Sequence, residues 1–418
     1  MRATTGSAGT TDGLDWSSQD RAATRGVLGG HALVHLYQNG FYVILPELYQ
    51  VFGLNPITAG AVDTVRKVAS GTASMVGGVV LDRYADKRIP VLWLSLVFMG
   101  IGYLLVGLAP TYLLLLVAAG LAGASGSIWH PAAIGLLSQA FPARRGFMIS
   151  LHRSTGSVGD VVGPLLVGGL LVVVGAQAIL VGAVPLVLAV TVVLWVLLAR
   201  APAWRAFREK ADDPRSFRDQ FSALGPVLRH PSLRILLVVK LLSGLGQGGL
   251  VLWLGLYLSE VVGLGSVGVS AHIALVTAVG IVAGPYIGSL SDRIGRRPVI
   301  VAVLGLKATF AALLALVAYG PWFTLLVALL GAVLFGANSL LQVAALDIGD
   351  GQRLEGSLVG LMWGVNAVSG GSAPLLMGVL VTALGFGVIF WFVALANAAA
   401  MLAALALRLV RPTADVAN

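Results

Sequence analysis

Long apolar runs follow one another along almost the whole chain, and each is about as long as a lipid bilayer is thick. A transmembrane helix needs about 20 mostly apolar residues. The chain is 57% hydrophobic and only 11% charged, and its mean hydropathy is +0.92. A water-soluble protein of 418 residues could not bury that much apolar surface. The sequence therefore predicts a membrane protein whose main solvent is lipid.

The apolar runs predict an all-α membrane protein with twelve transmembrane helices. Several runs contain glycine or proline, which membrane helices tolerate when neighbouring helices satisfy the backbone. The predicted spans are 27–51, 57–81, 90–108, 112–138, 146–172, 176–200, 232–261, 267–291, 298–318, 322–347, 356–383 and 386–409.

The basic residues predict the orientation. The net charge is +9, and lysines and arginines cluster at one set of loops, as at Arg83, Arg144 and Arg293. The alternate loops, for example 52–56 and 262–266, carry none. The positive-inside rule then places both termini in the cytoplasm and the protein in the inner membrane. This placement explains the basic charge, so nucleic acid is not a predicted partner.

The polar stretches predict the domain boundaries. The chain has no cysteine, which excludes disulfides and thiolate metal sites. The N-terminal stretch lacks the apolar core of a cleavable signal. The predicted organisation is a disordered cytoplasmic N-terminus (1–26), a six-helix bundle (27–200), a cytoplasmic linker (201–231), a second six-helix bundle (232–409) and a cytoplasmic tail (410–418).

The two bundles are related by an internal repeat. The loop from Gly78 to Arg88 and the loop from Gly288 to Arg297 share a pattern in which Asp82 and Asp292 are equivalent. The offset is 210 residues, and it recurs for Pro164 and Pro374 and for Gly156 and Asn366. One offset that recurs at separate places indicates a duplication.

Parallel six-helix halves with a G-x-x-x-D-R-x-x-x-R/K-R/K loop in each resemble the major facilitator superfamily over about residues 27–409. The resemblance implies two halves that move against each other around a site at the membrane midplane. It also implies gating by Asp82, Arg83, Asp292 and Arg293, through ion pairs that hold helices together on the cytoplasmic side. The alternative is a solvated loop that only sets the topology.

Charged residues within the spans are candidate site residues, because burying charge in a membrane is costly. Asp63 lies three and four residues before Arg66 and Lys67, and Arg153 lies two turns before Asp160. Together they leave about one uncompensated positive charge, which favours an anionic substrate. The alternative is that these residues are buried pairs that only hold helices together.

Histidines are concentrated in the first half, where four of the six lie within predicted spans. Imidazole titrates near neutral pH, which suits proton coupling. His31 and His35 are one turn apart and could bind a metal, but no carboxylate or thiolate accompanies them at ligand spacing. We therefore predict neither a metal nor a cofactor. Ordinary hydrogen bonding between helices is the alternative role.

Two further stretches narrow the resemblance. The run from Gly156 to Gly169 is similar to the glycine-proline motif of drug/proton antiporters, with close helix packing as the alternative explanation. The stretches around His31 to Glu47 and Gly126 to Pro131, with Arg144-Arg145-Gly146, resemble the fosmidomycin-resistance branch. That branch implies export of small drugs, including a phosphonate. His35 stands where the branch often has an acid or amide. Most exporters of the wider drug/proton group have a coupling arginine in the middle of the fourth helix. This chain has none there, so the coupling role would fall to Arg66 or Arg153.

The sequence thus predicts a monomeric secondary transporter, not an enzyme, which exports a small organic anion or drug, including phosphonate-like ones, by proton antiport. The alternative is a symporter or uniporter that imports an organic anion. The predicted substrate-binding residues are His31, His35, Tyr37, Arg66, Trp129, His130, Arg153, Lys240, Gln247, Trp253, Asn338, Gln342, Trp363 and Asn366. The predicted proton-coupling residues are Asp63, Asp160, His35 and His152.

Overall fold

The structure is a computed structural model that describes residues 17–141, 144–202, 204, 228–348 and 355–409. Within these residues the regular structure is helical. The α-helices are α1 (Ser18–Val51), α2 (Pro56–Arg83), α3 (Arg88–Leu108), α4 (Tyr112–Ala140), α5 (Arg145–Leu170), α6 (Ala176–Arg200), α7 (Pro231–Gly248), α8 (Leu250–Glu260), α9 (Ser266–Ile294), α10 (Arg296–Leu316), α11 (Pro321–Ile348), α12 (Glu355–Leu384) and α13 (Val388–Ala404).

The predicted all-α fold is confirmed, with one break within a predicted span. The span 232–261 consists of α7 and α8, which meet at Gly249. Two consecutive glycines, Gly248 and Gly249, lower the cost of leaving the helical conformation there. The other eleven predicted spans each correspond to one α-helix.

Eight helical segments are long and apolar enough to cross a membrane, with α7 and α8 counted as one segment. Of the remaining described helices, α13 is apolar but has only 17 residues. The others, α1, α2 and α5, carry the candidate charged residues and three of the four candidate histidines of the first half, and the fourth, His130, lies on α4. Most of the candidate polar groups of the first half are therefore on these three less apolar helices.

The first helix begins earlier than predicted. Its N-cap is Ser17, whose side chain accepts from the Asp20 backbone N–H, while the Asp20 carboxylate accepts from the Ser17 backbone N–H at 3.0 Å. This capping box makes residues 18–26 helical, which corrects their predicted disorder. Trp204, from the predicted linker, is buried and donates its indole N–H to the Asp20 carbonyl at 3.3 Å. Residues 205–227 and the predicted tail 410–418 lie outside the described residues.

The 210-residue repeat recurs in the helix boundaries. Helix α2 begins at Pro56 and α9 begins 210 residues later at Ser266. The strongest sign of the relation is a contact between equivalent residues, because Gln50 Nε2 donates to Glu260 Oε2 at 2.6 Å across 210 positions. Equivalent residues can touch only where the axis relating the halves passes between them.

The two halves pack against each other through α2 with α12, α5 with α9, and α1 with α8. Small residues allow the close approach: Gly60 lies against the backbone of Pro374, and Gly378 lies against that of Pro56. The Leu375 backbone N–H donates to Thr64 Oγ1 at 3.2 Å. These contacts lie toward the ends of the helices away from the basic loops.

Toward the basic loops the pattern changes. Contacts between α2 and α12 extend as far as Gly71 and Ala367. Beyond them Met75 and Val76 on α2, and Trp363 on α12, are exposed, at 57%, 52% and 47%. The arrangement indicates halves that are closed on one side of the membrane and open on the side of the basic loops.

The closed side generates a cross-linking prediction. Because the chain has no native cysteine, a Gln50→Cys/Glu260→Cys pair supplies its only two thiols. We expect a short bifunctional thiol reagent to join them and to block the movement of the halves that the family resemblance implies, because that movement requires this side to open. The measurement is the mass of the proteolytic fragments. In a matched Val76→Cys/Trp363→Cys pair on the open side, each cysteine should react with one end of a separate reagent molecule, so that no cross-link forms. Faster joining of this second pair would contradict the arrangement.

Candidate functional site

A buried carboxylate on α2 holds two cations. Asp63 is fully buried, and its Oδ1 accepts from Arg66 Nη2 at 2.7 Å and from Arg66 Nε at 3.1 Å. Its Oδ2 lies 2.9 Å from Lys67 Nζ. The spacing of three and four residues on one helix thus produces the contacts expected from the sequence. One negative charge between two positive charges leaves a net charge of +1.

Arg66 is fully engaged by its surroundings. Besides Asp63, its Nη1 donates to the Gln38 carbonyl at 3.2 Å. Its guanidinium lies 4.5 Å from the ring centroid of Tyr42 and 4.9 Å from that of Phe41, which adds cation–π attraction. These contacts support the packing role that the sequence left open for the Asp63–Arg66 pair.

Lys67 reaches the other half of the protein. Its Nζ donates to the carbonyl of Gly248, the last residue of α7. A helix end leaves its last carbonyls without partners in the helix, so the break between α7 and α8 creates this acceptor. The Asp63 cluster therefore lies at the boundary between the two halves.

Four histidines from three helices form a second cluster, which we call the histidine cluster: His31 and His35 of α1, His130 of α4 and His152 of α5. The rings of His31 and His152 stack with their centroids 3.6 Å apart. The centroid of His31 is 4.5 Å from that of His35 and 5.1 Å from that of His130. Sequence spacing could reveal only the pair on α1, because the other two members come from distant parts of the chain.

The hydrogen bonds of this cluster are unevenly distributed. His35 Nδ1 lies 2.7 Å from Asp160 Oδ1, and Asn39, which the sequence analysis missed, also donates to that oxygen. His31 Nδ1 lies 2.6 Å from the His152 carbonyl. By contrast, His130 Nδ1 and both ring nitrogens of His152 are buried without a hydrogen-bond partner among the described residues.

The glycine-proline run on α5 brings that helix close to α1. A side chain at Gly156 would come within 2.9 Å of His31 Nδ1 and of His35 Cδ2. Gly159 and Gly163 lie against the backbone of Ala32 and Leu36. The described contacts therefore support close packing as a role of this motif.

The second half carries a polar chain of its own. Lys240 Nζ donates to Asn338 Oδ1 at 2.6 Å, and Asn338 Nδ2 donates to Gln247 Oε1 at 3.0 Å. The structure thus joins two predicted residues of α7, Lys240 and Gln247, through the predicted Asn338 of α11. Lys307, which the sequence analysis did not include in the site, is fully buried and donates to Ser243 Oγ at 3.0 Å. No acidic partner is found for either lysine among the described ion pairs.

Arg153 is exposed on α5 of the first half. Gln342 and Asn366 are half-buried, and Trp363 is exposed.

The remaining predicted aromatic residues lie inside the bundles. Trp129 and Trp253 are fully buried, and the Trp253 indole N–H donates to the Pro374 carbonyl at 3.1 Å. Tyr37 donates to the Ala183 carbonyl at 2.5 Å. Their surroundings are those of packing residues.

Of the predicted gating residues, the side chain of Asp82 lies outside the described residues, and Arg83 and Arg293 are exposed. Asp292 pairs with Arg296, whose Nε also donates to Asp347 Oδ2 at 3.0 Å. Arg296 therefore ties together α9, α10 and α11, all within the second half.

Comparisons with known proteins agree with this architecture. The family model of the Major Facilitator Superfamily matches residues 27–374. The Fosmidomycin resistance protein of Escherichia coli (strain K12) is 26% identical over 368 residues, which cover 85% of this chain and 86% of that protein. Citrate exporter 1 of Aspergillus niger is 33% identical over 124 residues, which cover 29% of this chain and 23% of that protein.

A solved structure shares the fold. It is that of a bacterial homologue of the human lysosomal transporter Spinster, in an inward-facing and unoccupied conformation. The TM-score is 0.75 at 16% identity, with 94% of this chain and 98% of that chain covered. The twelve-span architecture, the two related halves and the family match together show that this multi-pass membrane protein belongs to the Major Facilitator Superfamily.

Proposed function

We propose that the protein is a secondary active transporter that exports a small organic anion or drug by proton antiport with alternating access. The observation that carries the proposal is the excess of cations where the two halves meet. Lys67 contacts Gly248 across the boundary, and each half adds a further cation without a described acidic partner, the exposed Arg153 of α5 and the buried Lys240 of α7. A transporter that works by alternating access binds its substrate between the two halves that move.

The anionic character of the substrate follows from charge balance. Lys240 and Lys307 are buried, and Asp63 neutralises only one of the two cations beside it. Uncompensated charge in a low-dielectric interior is costly. An anion such as a carboxylate or phosphonate that entered the opening would lower this cost. The names of the Fosmidomycin resistance protein and of Citrate exporter 1 support small anions as the first candidates.

Proton coupling is assigned to Asp160 with His35 and to Asp63. The side chains of His35 and Asp160 are 21% and 18% exposed, so water can exchange protons with them. A proton gained or lost by this pair changes its charge within the first half, next to the helix packing set by Gly156 and Gly159. His152 lies in the same cluster and is a further candidate carrier.

In the proposed orientation the basic loops and both termini lie in the cytoplasm. The protein is proposed to be a monomer in the inner membrane. The side on which the halves are open then faces the cytoplasm, where an exporter collects its substrate. This resembles the conformation stated for the Spinster homologue.

Import of an anion by proton symport is the second candidate. It is favoured by electrostatics, because a proton added near an anion site strengthens anion binding rather than weakening it. The helix-five motif and the export or resistance stated in the relatives' names favour antiport.

A pH gradient in everted membrane vesicles distinguishes the two candidates. With an acidic interior, an antiporter accumulates labelled fosmidomycin or citrate as protons leave, whereas a symporter carries the anion out. We expect accumulation that an uncoupler abolishes. Vesicles without the protein are the control, and accumulation driven only by an alkaline interior would establish symport instead.

The cations at the boundary can be tested separately. We expect Arg153→Gln and Lys240→Gln each to raise KM for the anion about tenfold, since losing one charge contact of about 1.4 kcal/mol has that effect. Arg145→Gln, an exposed residue at the start of α5, is the matched control and should leave KM unchanged. Equal KM values in all variants would remove Arg153 and Lys240 from the site.

The Asp63→Asn variant, alone and combined with Lys67→Met, distinguishes the contribution of Asp63 to stability from its role in proton coupling. The change leaves Arg66 and Lys67 without their carboxylate, and breaking a buried pair costs about 3–5 kcal/mol, so we expect a lower melting temperature and no transport. Adding Lys67→Met returns the local charge to +1 and should recover much of the stability without restoring transport. Proton-driven uptake by reconstituted protein is the readout. Normal uptake by Asp63→Asn would exclude Asp63 as a proton carrier.

A further inference from the structure

We propose that the histidine cluster is a binding site for one divalent transition-metal ion, with His31, His130 and His152 as ligands. Each residue offers a ring nitrogen, and these nitrogens all lie within 4.8 Å of one another. Zinc binds imidazole nitrogen at about 2.0–2.1 Å, so tetrahedral ligands lie roughly 3.4 Å apart. Small side-chain rotations close the difference.

The unpartnered nitrogens point to a ligand. His152 is 3% exposed, and neither of its ring nitrogens has a hydrogen-bond partner among the described residues. His130 Nδ1 is in the same state. A buried polar atom without a partner costs about 1–3 kcal/mol, and such atoms are rare in folded proteins. A metal ion accepts the lone pair of one nitrogen in each of these rings.

The hydrogen bonds of the other two histidines prepare them as ligands. The His152 carbonyl can only accept, so His31 Nδ1 carries the proton at 2.6 Å and its Nε2 keeps the lone pair. His35 Nδ1 lies 2.7 Å from the Asp160 carboxylate. A carboxylate or carbonyl behind a histidine is the usual outer shell of a metal site, because it fixes the ring and raises its basicity. His35 is the candidate fourth ligand, since its ring centroid lies 4.5 Å from that of His31 and 5.4 Å from that of His130.

The duplication shows that the fold does not need these histidines. At the equivalent positions, 210 residues later, the second half has Leu241, Leu245, Leu340 and Met362. The equivalent of Asp160 is Gly370. At two of these positions the second half buries an apolar side chain, since Leu340 and Met362 are each 2% exposed, which avoids the cost of burying imidazole. The first half bears that cost, and metal binding accounts for it.

The chemistry of the ligands selects the metal. Imidazole nitrogens without thiolates suit Zn²⁺, Co²⁺, Ni²⁺ and Cu²⁺, whereas Mg²⁺ and Ca²⁺ prefer oxygen ligands. The inference is independent of the direction of transport and of the transported substrate, because it concerns binding to the purified protein.

The test is titration of the full chain, purified in detergent without a histidine tag, with Co²⁺ and Zn²⁺. We expect one Co²⁺ per chain with the visible absorption of a tetrahedral site, displacement by Zn²⁺ but not by Mg²⁺, and a melting temperature that rises with Zn²⁺. His130→Leu and His152→Met insert the residues that the second half uses, so the variants are matched to the fold. Each should weaken binding on the order of 100-fold or more, and Asp160→Asn by about 10–100-fold.

His272→Gln is the control. His272 lies in the second half, and both of its ring nitrogens have partners, the Gly268 carbonyl and Thr324 Oγ1, so metal binding should not change. The variants must elute as monodisperse protein with a cooperative melting transition. Absence of Co²⁺ and Zn²⁺ binding by the folded wild-type chain would overturn the proposal, and so would undiminished binding by His130→Leu and His152→Met. Failure of anion transport in vesicles would leave it standing.

Discussion

The structure depends on how it neutralises charge inside a membrane. Asp63 carries this burden in the first half, since it is enclosed by Arg66, Lys67 and the aromatic rings of α1. The arrangement holds α1 and α2 together and also reaches α7 through Lys67. Because a buried pair can only just offset its desolvation cost, any change of charge at this place alters the balance between the two halves.

Duplication accounts for the shared helix order of the two halves, and later divergence accounts for their different polar side chains. The helices of the two halves follow the same order at offsets close to 210 residues, yet the polar side chains do not repeat. Asp63, Arg66 and Lys67 have Ile273, Val276 and Thr277 at the equivalent positions. The first half thus holds the buried carboxylate Asp63 and the histidine cluster, and the second half holds buried lysines with amide and hydroxyl partners.

Sequence patterns predicted what is local or periodic. Apolar runs gave the spans, the repeat gave the two halves, and the spacing of Asp63 from Arg66 and Lys67 gave their ion pairs. The contacts that join distant segments were beyond such patterns: His130 and His152 reach His31 only because α4 and α5 pack on α1. The break at Gly249 was equally hidden, because glycine is tolerated in an unbroken membrane helix as well.

The pair of Gln50 and Glu260 illustrates what fusing two copies into one chain permits. In a symmetric dimer of a half-length ancestor, the residue on the twofold axis would have met an identical copy of itself. Two glutamates would repel there, and their carboxylates could not donate to each other. A single polypeptide can instead evolve an amide on one side and an acid on the other, as the 2.6 Å bond records. Covalent linkage thereby turned a self-complementary junction into one with a distinct donor and acceptor.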